Sequence, residues 1–326
     1  MSKKLQSPIK NKKILITGGA GFIGSHLAEA LVQNNRVTIF DNLRRNALQY
    51  TDIQNHKNIN IVKGDVLDKK NLEDTIKGQD YVVHLAAIAG VSSYYKNPLA
   101  TLEVDAWGTY NVLDISSRLG IKHVITSSTS EVYGINAKDV SETSSTVQGP
   151  ATDSRWSYAV GKLVGDHFAF AFSKVKKLPV TIVRPFNVYG PRQVGEGAIQ
   201  IFVKQSLEGE PLTIRGKGKQ KRAWCYITDF IQAIIQIMGN PNAFGEIFNI
   251  GNDKEIVDAQ QLATIIKEIT QSRSVLEYMD NPFTEIEYRS PNIEKARKLL
   301  GYTPSVSLHN GLKHTIDWYK SYEKTS

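Results

Sequence analysis

The chain reads as an α/β protein built on a doubly wound parallel sheet, with a smaller α/β lobe toward its C-terminus. Three observations predict this. Short β-branched runs alternate with helical stretches through the first half, the order that generates parallel strands with helical crossovers. Those runs are nearly continuous in apolar residues, as strands covered on both faces should be. A glycine-rich turn, Gly18-Gly19-Ala20-Gly21-Phe22-Ile23-Gly24, separates the first run from the first helical stretch.

In chain order, strands are expected over residues 14–17, 37–40, 59–62, 81–85, 124–127 and 180–183. Helices are expected over 23–33, 71–76, 99–118 and 157–176 between them. After Arg184 the texture changes, because proline and glycine punctuate the chain from Pro185 through Gly218. Helices over 199–207, 228–238 and 259–269 then alternate with short strands over 212–214 and 247–250. Asp258 with Gln261 has the spacing of a capping box for the third of these helices. The expected organisation is a dinucleotide-binding unit over 10–184 and a substrate lobe over 185–326, some of whose segments return to the main sheet. The first dozen and last few residues are expected to fray.

With 326 residues, 41% hydrophobic and 22% charged, the chain has an ordinary globular composition and enough length for a large core. No apolar run approaches the roughly 20 residues of a membrane span, and 14–16 is too short for a signal-peptide core. The single cysteine, Cys225, excludes an internal disulfide and fits a reducing compartment, so a cytoplasmic location is expected. The net charge of +8 is spread along the chain apart from a cluster over 217–222. No groove-reading module accompanies it, so nucleic acid is not an expected partner. An anionic small molecule would use such a surplus locally. No metal is expected.

The glycine turn has a defined task at each position. Gly18 permits the tight turn, Gly21 lets the backbone approach a pyrophosphate, and Gly24 lets the helix pack close to the sheet. Phe22 and Ile23 lie at the helix N-terminus, whose free N–H groups favour an anion. Asp41 ends the second strand, with Asn42 after it. A carboxylate there can accept the hydroxyls of an adenosine ribose, which favours NAD over NADP. Its alternative role is to cap the next turn. Asp65, followed by Val66, can reach an adenine or simply stabilise its own turn. Leu85-Ala86-Ala87 leaves room for a cofactor across the strand ends.

Tyr158 and Lys162 are four residues apart and share a helix face. A phenol with a solution pKa near 10 is a poor base at neutral pH. A neighbouring ammonium favours the phenolate, and Thr129, just past the fifth strand, can hydrogen-bond the same reacting oxygen. Such a pair on a surface helix is common by chance. Behind a glycine turn and a serine/threonine-rich strand end it points to a redox enzyme acting on an alcohol.

With these residues in place, the chain resembles the extended short-chain dehydrogenase/reductases. It is most similar to their NAD-dependent nucleotide-sugar epimerases, dehydratases and decarboxylases. The resemblance runs through 17–24, His84-Leu85-Ala86-Ala87, Ser128-Thr129-Ser130-Glu131-Val132-Tyr133-Gly134, Tyr158 to Lys162, and Arg184-Pro185-Phe186-Asn187-Val188-Tyr189-Gly190-Pro191-Arg192. It implies a Rossmann fold, NAD as cofactor and a UDP-sugar or related substrate. It further implies catalysis by Thr129, Ser130, Glu131, Tyr158 and Lys162. Tyr95, Asn187, Arg192, Arg222 and Arg289 would contact substrate, and Leu212, Thr213 and Ile214 would line the nucleobase. Arginine forks suit phosphate oxygens.

In such enzymes Tyr158 would remove the C4 hydroxyl proton of the sugar as hydride passes to NAD, leaving a 4-keto sugar. Epimerisation, dehydration and decarboxylation diverge from there. Glu131 and the segments Ala87-Ile88-Ala89, Tyr95, Asn97-Pro98-Leu99, Arg155-Trp156 and Tyr288-Arg289-Ser290-Pro291 are most similar to decarboxylases acting on UDP-glucuronate, with Arg289 over the substrate carboxylate. Three places depart from the family pattern. Gly161 replaces a serine before the lysine, Asp105 replaces an asparagine, as decarboxylase relatives also allow, and Trp224-Cys225-Tyr226 is unusual around Arg222. A homodimer is implied, through the helices over 99–118 and 157–176.

Overall fold

The structure is a computed structural model and describes residues 9–193, 195 and 197–323. The basic Lys3 and Lys4, and most of the two termini expected to fray, lie outside these residues. Among the described residues, a central sheet contains seven strands. They are Lys13–Thr17, Arg36–Asp41, Ile59–Lys63, Tyr81–His84, His123–Ser127, Val180–Pro185 and Ile247–Ile250. Every pairing is parallel. Numbered along the chain, they lie side by side as 3-2-1-4-5-6-7. The order reverses between the first and fourth strands. A crevice opens there at the carboxyl ends, where ligands bind in sheets of this kind.

The pleat sends alternate residues to opposite faces. Ile14 and Ile16 enter one apolar core with Val83, Ile125 and Val183; Leu15 enters the other with Val82, Val124 and Ile182. Helices Phe22–Leu31 and Ile227–Ile237 pack together, and their apolar faces belong to the first core. Helix Thr109–Arg118 contributes Val112, Leu113 and Ile115 to the second.

The helix expected over 99–118 is divided. Pro98–Leu102 is α-helical, Glu103–Gly108 is a π-helical turn, and Thr109–Arg118 resumes the α-helix. The helix expected over 157–176 is present as Ser157–Lys176. The lobe beside the sheet holds a four-stranded sheet in the order Ile256–Asp258, Lys221–Ala223, Tyr288–Pro291, Asn136–Val140. Its last strand comes from the first half of the chain, while Ile247–Ile250 crosses back to close the central sheet. The capping box is formed: Gln261 N–H donates to Asp258 at 2.8 Å and Asp258 N–H to the Gln261 side chain at 2.9 Å. No helix among the described residues is long and apolar enough to cross a membrane.

Candidate active site

A cleft of about 1130 Å³ runs along the carboxyl ends of the strands. At one end is the glycine turn. Gly18 has φ +70°, and a Cβ there would stand 2.6 Å from the Ala86 nitrogen. A Cβ at Gly24 would stand 2.4 Å from the Gly18 carbonyl oxygen. The turn therefore closes against the strand ends and its own helix only because both side chains are missing. Gly21 faces the cleft, and no side chain caps the helix that begins at Phe22. Its first N–H groups are thus available to a diphosphate. Gly18, Phe22, Ile23, Gly24, Asn42, Val66, Leu85, Ala86 and Ala87 line the same wall.

Asp41 lines the cleft and also accepts from Ala20 N–H at 3.0 Å and Leu43 N–H at 2.7 Å. Both roles open to it in the sequence are therefore compatible. Desolvation pushes its carboxyl up, against these two hydrogen bonds. Asp65 stabilises its own turn by accepting from Leu67 N–H at 2.9 Å, and it too borders the cleft. These residues fit a dinucleotide: a side-chain-free cradle at an uncapped helix, with a carboxylate at the end of the next strand.

At the other end stand Thr129, Ser130, Glu131 and Tyr158. Thr129 occupies the N-cap of a short helical turn and hydrogen-bonds the Tyr158 phenol. The Lys162 ammonium, buried one turn along, donates to the Ser127 carbonyl at 2.8 Å. Desolvation, then Asp105 and Glu131, push Tyr158 well above its ordinary value, and they outweigh the Thr129 hydrogen bond and Arg289. Desolvation lowers Lys162, opposed by Asp105 and Asp166.

Glu131 sits between two buried arginines. Arg155 Nη1 donates to one carboxylate oxygen at 2.5 Å and Arg289 Nη1 to the other at 3.3 Å. Burial alone would raise this carboxyl, but Arg289 and then Arg155 hold it below the usual carboxylate range. Arg289 also has Nε and Nη2 buried with no partner among the described residues. Arg222 is paired in register with Arg289 on the adjacent strand and donates to the Ile286 carbonyl at 2.7 Å. Desolvation, then Arg289, push Arg222 down to about 9.

Other residues expected to contact substrate are spread more widely. Asn187 borders the cleft in a left-handed conformation and donates to the Ala223 carbonyl at 2.9 Å. Thr213 borders it as well, whereas Leu212 and Ile214 are fully buried in the core. Arg192 is turned away from the cleft, bound to His26 at 2.6 Å and Glu29 at 2.6 Å. Tyr95 does not itself line the cleft; half-buried, it packs on Phe283 at 4.8 Å and donates to Asp153 at 3.0 Å. Its neighbour Tyr94 faces the cleft instead. The Tyr94 ring stacks on Tyr158 at 5.7 Å, and its hydroxyl accepts from Arg155 at 2.9 Å. Tyr94 is therefore a site residue that sequence reasoning missed, and Arg155 one that it singled out only as part of a decarboxylase-like segment. In a Tyr94-Tyr95 pair nothing local marks which ring turns inward.

A dinucleotide cradle and a tyrosine–lysine–threonine cluster, sharing one cleft on a doubly wound sheet, define a class of dinucleotide-dependent enzymes that act on alcohols. A family profile described as the NAD dependent epimerase/dehydratase family matches residues 14–251, and the chain belongs to that family. Its relatives are NAD-dependent nucleotide-sugar enzymes. A UDP-N-acetyl-alpha-D-glucosaminuronate decarboxylase from Bacillus cytotoxicus is 38% identical, over 96% of this chain and 99% of the relative. UDP-glucuronic acid decarboxylase 1 of Xenopus tropicalis is 34% identical, over 97% of this chain and 74% of the relative. Among solved structures, the UDP-glucuronic acid 4-epimerase of Bacillus cereus, in complex with UDP-glucuronic acid and NAD, superposes with a TM-score of 0.88. It is 32% identical and covers 95% of this chain and 99% of that one.

Proposed function

We propose that this chain decarboxylates a UDP-hexuronate, UDP-glucuronate or its 2-N-acetylated counterpart. The observation that carries the reading is Arg289, buried in the cleft wall with two guanidinium donors that no described residue uses. A guanidinium left this way is matched by a planar carboxylate. Two of the relatives act on uronates, which supports the same assignment.

NAD would lie along the glycine wall, held by Gly18, Gly21, Phe22, Ile23, Gly24 and Asp41, and when bound it supplies the acceptor for the C4 hydride. Tyr158 takes the C4 hydroxyl proton at its Oη, oriented by Thr129, while Lys162 supplies a positive charge one turn behind it. Arg289 holds the C6 carboxylate beside Glu131. Once C4 is a ketone, the C5–C6 bond breaks and carbon dioxide leaves. The bonding pair passes into an enolate across C5 and C4, and C5 then takes up a proton. The C4 ketone would take back the hydride and the proton held by Tyr158, so that carbon dioxide is the net loss. Asn187 and Thr213, in the cleft wall, would meet the nucleotide half of the substrate, whereas Arg222 does not line the cleft and is tied to the Lys221 and Ile286 carbonyls.

A second reading is supported by the B. cereus 4-epimerase, whose substrate also carries a carboxylate. One incubation separates the alternatives. UDP-glucuronate, UDP-N-acetylglucosaminuronate and neutral UDP-, GDP- and dTDP-hexoses are each supplied with NAD, and product masses are read. Loss of carbon dioxide supports decarboxylation. An unchanged mass with a new epimer replaces it with epimerisation, and loss of water replaces it with 4,6-dehydration.

We also propose that the chain works as a homodimer in a reducing, cytoplasmic setting. Leu99, Trp107 and Phe170 are exposed on the two helices expected to pair, and Cys225 is a free thiol in the core.

A further inference from the structure

Asp105 lies inside the π-helical turn and is fully buried. Turns of this kind insert a residue into the helical repeat and are frequent at functional sites. Its Oδ1 accepts from Ile88 N–H at 3.1 Å, which ties it to the cleft wall formed by Ala87, Ile88 and Ala89. Its Oδ2 is buried with no partner among the described residues. The turn can approach the catalytic helix because residue 161 has no side chain. A Cβ there would stand 2.9 Å from the Asp105 Cβ. Two of the departures from the family pattern therefore face each other, directly beside Lys162.

The charged surroundings are specific. The long helix presents Tyr158, Lys162 and Asp166, and Asp166 is tied to Arg184 of the sixth strand at 2.8 Å. The fourth strand presents His84, which burial and then Lys162 push down to about 3, so it is neutral. Glu131, from the turn after the fifth strand, is already held by Arg155 and Arg289. Burial, opposed by Lys162 and the Ile88 N–H, brings Asp105 up to about 7. Its charge acts on both catalytic partners, raising Tyr158 and Lys162.

We propose that Asp105 is a positioning residue for the Tyr158–Lys162 pair. Its carboxyl stands where the family pattern has a neutral amide, and its protonation state governs how readily Tyr158 gives up a proton. The inference rests on Tyr158 being the base. With Asp105 ionised, the group Asp105–Lys162–Tyr158 is neutral, and loss of the next proton leaves a buried negative charge. With a neutral group at 105 the same loss only neutralises a positive charge, and it occurs at lower pH. The protons of such a cluster leave in coupled steps, so the acid limb of the wild-type pH–rate profile should be shallower than a single ionisation.

The test is Asp105→Asn, which keeps the shape and the acceptor for Ile88. The acid limb of kcat/KM should move to lower pH by about one unit and steepen to a single ionisation. A second measurement needs no turnover. Tyrosinate absorbance, taken as the difference between each protein and its own Tyr158→Phe form, should shift in the same direction. A uniform loss of rate at every pH, with both titrations in place, makes Asp105 merely structural and overturns the proposal. So does a shift toward higher pH. A Tyr158→Phe protein that still turns over would instead remove the assignment of the base, and it is seen separately.

Discussion

Arg289→Gln separates a carboxylate-binding arginine from a purely structural one. Arg289 has two donors, Nε and Nη2, with no partner among the described residues, in the wall of the cleft. A hydrogen bond to a charged group contributes about 1.5–3 kcal/mol net. Two aimed at one substrate carboxylate therefore amount to about 3–6 kcal/mol, or roughly 10²- to 10⁴-fold in kcat/KM. The variant should lose about that factor with a UDP-hexuronate, and its loss with the matching neutral UDP-hexose should be much smaller. Competing the two substrates and reading products by mass gives the ratio directly. An unchanged ratio would refute the assignment of Arg289 to the carboxylate. The same variant has a folding readout. A carboxylate whose folded pKa is depressed contributes stability above its unfolded pKa, and this is lost as pH falls through the folded value. Removing Arg289 releases Glu131 from one of its two cationic partners, so the folded value rises. Acid unfolding followed by circular dichroism should begin at a higher pH than in the wild type.

Three further outcomes are expected. Tyr158→Phe should reduce kcat by about 10²–10⁴-fold while NAD affinity, measured by calorimetry, stays the same; a near-full rate would remove the phenol from the chemistry. Asp166→Asn should strand Arg184, which donates to Asp166 through both Nε and Nη2 in a buried setting. Leaving such a charge unpaired costs about 3–5 kcal/mol, to be read as a lower urea midpoint at constant slope, and an unchanged midpoint would show that water or Tyr133 compensates. Trp107→Glu places a charge on an exposed apolar face and should halve the mass measured by light scattering, whereas a wild-type protein already monomeric would sink the dimer proposal.

Much of the candidate site was legible because its signals are local. Gly18 and Gly24 are needed for contacts with Ala86 and with the turn itself, and short-range steric demands of this kind leave a fixed spacing in the chain. Tyr158 and Lys162 meet through helical periodicity alone. The residues that were misplaced belong to segments where neighbours in sequence point in opposite directions. In the strand Leu212–Arg215, alternation carries Leu212 and Ile214 into the core and Thr213 to the cleft. Tyr94 and Tyr95 diverge at a helix surface. Arg192 follows a sharp turn and adopts φ +64°, which sends its guanidinium back to the first helix.

By itself, then, the sequence determined the alternating strands and helices, the cradle for a dinucleotide and the pairing of phenol with ammonium, since each depends on residues within a few positions of one another. Only the tertiary structure decided what surrounds them. Glu131, Arg155 and Arg289 meet from three distant segments, and of the lobe segments expected to return to the main sheet it is Ile247–Ile250 that pairs there, beside Val180–Pro185. The π-helical turn sets Asp105 against Gly161. These contacts arise from how whole elements pack, and packing is fixed by the burial of complete faces rather than by the order of neighbouring residues.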